Sequence, residues 1–179
     1  DSLKLLHATI PAAIELKKVI EAKEVSIQAD RTQIQQVIMN LCTNAYHAMR
    51  DSRGIITVGL HEVDIRHFLN LPPHIKASEA QFWLCLSVAD NGTGIEKSII
   101  DRIFDPFFTT KPVGQGTGMG LSIVHGIVNS HHGFVKVESK IGVGTTFRLY
   151  FPKCLQAPDQ VTISGQASET GREHILFVD

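Results

Sequence analysis

The stretch Gly114-Gln115-Gly116-Thr117-Gly118-Met119-Gly120-Leu121-Ser122-Ile123-Val124 alternates glycine with small or flexible residues and then enters an apolar helical run. Glycine tolerates positive φ and lets backbone approach a ligand closely. A glycine-rich loop opening a helix presents unpaired N–H groups and the positive end of the helix dipole, which together suit an anionic phosphate. Better-known phosphate signatures fail by spacing. A dinucleotide fingerprint started at Gly114 needs glycine where Met119 stands, and one started at Gly116 needs it where Leu121 stands. No Gly-Lys-Ser/Thr, His-Arg-Asp or Asp-Phe-Gly occurs, so the P-loop and the protein-kinase set are both missing. What remains is Gly-x-Gly-x-Gly-x-Gly-Leu, a phosphate loop of a different kind or a flexible lid.

The chain around this stretch has 179 residues, enough for one domain with a sizeable core and some excess. Hydrophobic residues make up 43% and charged residues 20%, a globular balance. The net charge of −1 gives no basic field for nucleic acid or an anionic membrane, so neither is expected as a partner. No apolar run is long enough to span a bilayer. Cys42, Cys85 and Cys154 are scattered, without Cys-x-x-Cys, as small apolar fillers in a reducing compartment would be. A cytoplasmic location follows as an expectation, with membrane attachment of the parent left open. The start at Asp1 without Met and the end at Asp179 after an apolar run are expected of a piece of a longer chain.

Upstream of the glycine loop, Ile10 to Leu16 and Val25 to Gln28 alternate as two strands. Asp30 is a good N-cap, and Gln33 completes a capping-box-like pair. The helix it opens runs to about Arg50, with Ile34, Val37, Ile38, Leu41, Cys42, Ala45 and Met49 on one stripe. Asn40 and Asn44 stand one turn apart beside that stripe, and His47 continues their face. Asparagine competes with the backbone for hydrogen bonds inside a helix, so the pair is either solvated or has a task.

Ile55 to Val63 reads as a strand with Ile56, Val58 and Leu60 inward, and Asn70 to Ser78 as a loop. Phe82 to Ala89 is apolar on both faces, so it is predicted as a central strand. It ends at Asp90-Asn91-Gly92-Thr93-Gly94-Ile95, which is a plain turn or a turn holding a carboxylate at the strand's end. Glu96 to Ile103 is a short helix. Residues 104–117 have no period and begin Phe104-Asp105-Pro106-Phe107-Phe108-Thr109-Thr110-Lys111, which reads as a lid or as a loop anchored by its phenylalanines. Leu121 to about Ser130 is the second long helix, with Leu121, Val124, Ile127 and Val128 inward. Phe134 to Glu138 and Thr145 to Phe151 form a hairpin around a further Gly-x-Gly at Gly142 and Gly144. Residues 154–172 have linker composition, and His174 to Val178 is a lone apolar strand.

These motifs occur in a fixed order: Asn-x-x-x-Asn-Ala on a helix, Asp-x-Gly-x-Gly after a strand, a Phe-rich segment, the glycine loop, and Gly-x-Gly-Thr. The order resembles the N, G1, F, G2 and G3 boxes of the ATP-binding catalytic domain of sensor histidine kinases, over roughly residues 10–152. Asn-Ala-x-x-Ala-Met and Phe-Asp-Pro-Phe-Phe-Thr-Thr-Lys are similar to the kinases of the nitrogen-regulatory type. The resemblance implies the Bergerat ATP-binding fold of the α+β class. That fold is a two-layer α/β sandwich with a mixed, mostly antiparallel sheet, helices on one face, and ATP under a lid between two helices. It implies a phosphotransferase that moves the γ-phosphoryl of Mg-ATP to a histidine on a separate dimerisation domain.

The same resemblance assigns roles. Asp90 accepts from the adenine amino group, which an acceptor-only carboxylate distinguishes from guanine's carbonyl. Gly92 and Gly94 let the base slide along backbone, and Thr145 lies near it. Asn44 offers Mg²⁺ a hard amide oxygen. His47 stands where many relatives carry Lys or Arg toward the phosphates. Gly116, Gly118 and Gly120 cradle the phosphates, Lys111 is a charge on the lid, and Ile95, Gly114, Thr117, Met119 and Leu121 complete the nucleotide-contacting set. Asn40 stands where related ATP-hydrolysing families carry a water-activating Glu, and an amide is no general base. None of the nine histidines matches the His-Glu/Asp-x-x-Asn/Thr acceptor box, so autophosphorylation by this chain alone is not expected. His61-Glu62 comes closest, but Ile65 fills the last position. His125, His131 and His132 read as surface histidines. By the same resemblance, residues 1–9 are the end of the histidine hairpin, 10–153 the ATP-binding domain, 154–172 a linker, and 173–179 the first strand of a receiver domain. A further strand on this domain's own sheet is the other reading of that tail. A nucleotide-gated regulatory module and an anti-sigma-factor-like serine kinase are the alternatives at the level of function.

Overall fold

The computed structural model describes residues 10–11, 13–22, 26–49, 53–68, 71–76, 82–112, 116–153 and 174–176. Seven strands appear there: β1 (Ile14–Ile20), β2 (Ser26–Gln28), β3 (Gly54–Val63), β4 (Trp83–Asp90), β5 (Phe134–Lys140), β6 (Gly144–Pro152) and β7 (His174–Leu176). The helices are α1 (Arg31–Ala48), the four-residue α2 (Pro73–Lys76) and α3 (Gly120–Ser130). Five strands form one sheet in the order β1-β3-β4-β6-β5. Only β1 and β3 run parallel; the other neighbours are antiparallel. The sheet is therefore mixed and mostly antiparallel, as expected.

Why α1 forms is legible residue by residue. Asp30 Oδ1 accepts from the N–H groups of Thr32 and Gln33 at 2.7 and 3.2 Å, satisfying two donors that the first turn leaves unpaired. The reciprocal half of the capping box is replaced. Asp30's own N–H donates to His131 Nε2 at 3.2 Å, which ties the start of α1 to the end of α3. The predicted stripe from Ile34 to Met49 is buried throughout. It packs with Val88, Phe147 and Leu149 of the sheet and Val124 and Val128 of α3 in one core. Burial of each large apolar side chain contributes about 1.5–3 kcal/mol.

Strand β4 sits mid-sheet and is covered on both faces. Leu84, Leu86 and Val88 join the helix-side core, while Trp83 and Cys85 join a second cluster with Ile65, Ile75, Phe134 and Tyr150. That second cluster covers the other face of β4, as its two apolar faces predict. The loop read over residues 70–78 contains α2, and a 3-10 turn at Ile65–His67 precedes it. Their few apolar residues have no helical period, so only the exposed apolar face of β4 draws them down. Burial pushes the Cys42 thiol up to about 12 and the Cys85 thiol to about 11, so both behave as apolar fillers.

The largest boundary difference from the sequence reading is in β1. β1 begins at Ile14 rather than Ile10 and runs to Ile20. Its register is set by pairing with β3, Ile14 opposite Gly54 through Ile20 opposite Leu60, and Val19 and Ile20 stay exposed on the edge. The short helix read after the Asp-Gly turn is a 3-10 helix, Lys97–Arg102. Strand β7 pairs antiparallel with β2 in a separate two-stranded sheet. Residues 1–9 and 154–172, read as hairpin end and linker, lie outside the described residues, as do 173 and 177–179 of the tail.

Candidate functional site

Three elements meet at one side of the sandwich. β4 finishes at Asp90, β6 begins directly opposite with Thr145 as its register partner, and α1 passes behind them. The glycine loop and the first turn of α3 close the space from the other side. The result is a cavity of about 550 Å³, within the size range of cofactor sites. Of the residues singled out in the sequence, Asn40, Asn44, His47, Asp90, Gly94, Ile95, Lys111, Gly116, Thr117, Gly118, Gly120, Leu121 and Thr145 line it. Gly92 and Met119 do not, and Gly114 lies outside the described residues.

Gly92 has a different task. A Cβ there would stand 2.8 Å from both Cβ and O of Ala48, so its smallness lets the Asp90 turn press against the end of α1. Thr93 N–H donates to Ala48 O at 3.1 Å, Ile55 N–H to Asn91 Oδ1 at 2.8 Å, and Gly142 N–H to Thr93 O at 2.9 Å. The turn is thus clamped by α1, β3 and the β5–β6 hairpin. Asp90 Oδ1 accepts from the Gly92 and Thr145 N–H groups at 2.8 and 3.3 Å. Burial raises the Asp90 carboxyl above the usual aspartate range, and these two bonds offset part of that rise. Oδ2 remains the oxygen able to accept from a ligand.

The cavity lining also carries two amides and a cation. Asn40 and Asn44 project from α1 one turn apart, and Asn40 Nδ2 is buried with no hydrogen-bond partner among the described residues. Such a donor costs about 1–3 kcal/mol until an acceptor meets it. Lys111 Nζ donates to Asn44 Oδ1 at 3.3 Å. Burial holds its ammonium below the usual lysine value. His47 is half-buried on the same helix face, 5.5 Å from the Tyr46 ring. Met119, at the N-cap of α3, makes no side-chain capping bond, so the first N–H groups of that helix lack a side-chain cap.

Sequence reasoning missed several lining residues. Thr43 and Ala48 follow from the helical spacing of Asn44 and His47. Thr109 and Thr110 lie in the aperiodic segment, where no period could single them out. The three phenylalanines divide. Phe104 stacks on His125 at 5.1 Å, Phe108 lines the cavity with Arg102 4.7 Å from its ring centroid, and Phe107 is 73% exposed. His61 lies within β3. Among the described residues no three His, Cys, Asp or Glu side chains gather as a metal site, and no helix is long and apolar enough to cross a membrane.

Residues 29–155 match the family described as histidine kinase-, DNA gyrase B- and HSP90-like ATPases. The chain belongs to this family. Its members bind ATP, and its sequence relatives here are sensor kinases. Sensor kinase CckA of Brucella abortus (strain 2308) is 37% identical over 162 residues, covering 87% of this chain and 16% of CckA. Sensor histidine kinase ZraS of Escherichia coli (strain K12) is 40% identical over 126 residues, covering 70% of this chain and 23% of ZraS. The chain thus spans less than a quarter of either relative's length. The solved catalytic domain of histidine kinase ThkA superposes with a TM-score of 0.65 at 28% identity, over 85% of this chain and 89% of that one. ThkA has also been solved in complex with the response regulator protein TrrA, with a TM-score of 0.61 at 26% identity over 86% of this chain and 38% of that one. By family and fold, the chain is an ATP-binding catalytic domain of the sensor histidine kinase type.

Proposed function

We propose that this chain binds Mg-ATP and presents the γ-phosphoryl to a histidine on a separate domain. The observation that carries the reading is the composition of the cavity. Among the described lining residues Asp90 is the one carboxylate, and it shares the cavity with the amides of Asn40 and Asn44, the Lys111 ammonium and the glycine-loop backbone. Adenine then sits against Asp90 Oδ2 and Thr145, with Ile95 on its flank. The triphosphate runs toward Asn40, His47, Lys111, the Gly116–Gly120 backbone and the start of α3. Asn40 Nδ2 finds its acceptor in a phosphate oxygen. Among the described lining residues no second carboxylate stands to take a proton from water, which favours transfer over hydrolysis.

The residues present fit Mg²⁺. The Asn44 amide oxygen is a hard donor, it borders the cavity, and it already accepts from the Lys111 cation. Bound there with the phosphates, the ion would neutralise charge on the transferring group. Asn44 orients toward it, while Lys111 supplies a second positive charge from the lid side. The acceptor would be the histidine of a dimerising hairpin, and the onward partner a receiver domain or response regulator, as the ThkA–TrrA complex suggests by analogy. The apolar-then-acidic pattern of residues 173–179 is that of a receiver's first strand, whereas the pairing of β7 with β2 favours a further strand of this domain.

Titration calorimetry with Mg²⁺ tests the binding half. ATP is expected to bind in the micromolar to millimolar range, about −4 to −8 kcal/mol, and GTP at least about tenfold more weakly because its carbonyl faces Asp90. Equal affinities would remove Asp90 from base recognition.

A further inference from the structure

The hydroxyl of Ser139, on β5, joins three parts of the base end of the cavity. It accepts from the Ile95 N–H at 2.7 Å, donates to the Gly144 carbonyl at 3.1 Å, and lies 2.9 Å from Thr145 Oγ1. Ser139 does not line the cavity, whereas its register partner Thr145 does. A serine hydroxyl has one hydrogen and two lone pairs. The Ile95 N–H occupies one lone pair. A carbonyl oxygen only accepts, so the single hydrogen goes to Gly144. The 2.9 Å contact is then a bond donated by Thr145 to the second lone pair. With its hydrogen held on Ser139, Thr145 offers a ligand only lone pairs. Asp90, whose Oδ1 accepts from the Thr145 N–H, is also an acceptor only.

We propose that Ser139 is a positioning residue that fixes the hydrogen-bond polarity of Thr145, making the base end of the cavity an acceptor-only surface that selects purines with an amino group at C6. The inference rests on the reading of that end as the base pocket. An amino group supplies two hydrogens to such a surface. A C6 carbonyl sets lone pairs against lone pairs from both sides. Without Ser139, the Thr145 hydroxyl is free to turn and donate to that carbonyl, and the rejection weakens.

ATP and ITP differ at C6 and N1 but share the absence of guanine's 2-amino group, so their affinity ratio reads this polarity. Calorimetric titration of both into the wild-type chain is expected to favour ATP on the order of a hundredfold. Ser139→Ala is expected to narrow the ratio about tenfold, mainly by a gain for ITP, and Ser139→Thr to restore it. Thr145→Val is expected to narrow the ratio as well, and Ser139→Ala to add nothing in that background, because it acts through Thr145. Thermal melting of each variant reports any cost to the fold separately, and Thr145→Val alone still decides the matter if Ser139→Ala does not fold. An unchanged ratio in Ser139→Ala, or in Thr145→Val, overturns the inference even where both affinities fall. Wild-type chain that binds ATP and ITP equally overturns the base-pocket reading itself.

Discussion

Asp90→Asn is expected to leave the chain folded and to weaken ATP binding by about 2 kcal/mol or more, on the order of thirtyfold. The amide oxygen can take the place of Oδ1 and keep the bonds from Gly92 and Thr145 at 2.8 and 3.3 Å, so the turn survives. The amide nitrogen then replaces Oδ2 and meets adenine's amino group donor to donor. The same residue predicts opposite pH trends for stability and binding. Its folded-state carboxyl is raised above the unfolded value by burial, so the folded chain holds that proton more tightly. Ionisation of Asp90 therefore destabilises the fold above the raised value, and that penalty is relieved as the pH falls through it. ATP affinity needs the carboxylate and falls over the same window. Titrations and melts of wild type and Asp90→Asn across the acid range check this. The wild type should lose affinity on acidification above the usual aspartate range, and the variant should lose none there.

The second large effect separates two glycines that look alike in the sequence. Gly118 has φ +67, and a Cβ there would stand 2.5 Å from the Phe107 carbonyl oxygen. Alanine in that conformation costs about 1–2 kcal/mol before the clash is counted. Gly118→Ala is expected to displace the loop and reduce ATP affinity by about tenfold or more. Gly120 opens α3, and a Cβ there would meet Asn40 Oδ1 and Asn44 Nδ2 at an ordinary 3.8 Å. Gly120→Ala should leave the melting temperature level or raise it, since alanine favours helix by up to about 1 kcal/mol. Its loss should appear only with nucleotide, because the methyl group fills space beside the two amides. Melting curves with and without ATP distinguish the cases. A Gly120→Ala variant that binds ATP normally would mean that the phosphates lie elsewhere.

Much of the fold was legible because its signals are local. The α1 stripe from Ile34 to Met49 follows from helical period, and the central position of β4 from its two apolar faces. The start of β1 was not legible. Ile10 and Ile14 are equally apolar, and only pairing across to β3, opposite Gly54, decides between them. The helix and turn that cover Trp83 and Cys85 were hidden for the same reason, since the face they protect lies elsewhere in the sequence. At the candidate site, Asp90, Asn44 and Gly118 announce themselves by residue type and order. Ser139 does not, because an isolated serine on an alternating strand is unremarkable until its hydroxyl is found beside Ile95, Gly144 and Thr145. Gly92 was legible as a necessary glycine, but its close approach to Ala48 was not.

The central claim is that the γ-phosphoryl bound here is delivered to a histidine on another domain. Phosphoryl transfer depends on an in-line nucleophile held within reach, and no histidine in this chain carries the acceptor motif. The direct measurement is incubation of this chain with γ-labelled ATP and Mg²⁺, alone and with the histidine-bearing hairpin of its parent kinase, followed by acid and base treatment of the products. The account predicts no label on the chain alone, little free phosphate, and acid-labile, base-stable label on the added hairpin. Robust labelling of the isolated chain, or rapid release of phosphate with an unlabelled hairpin, would contradict it.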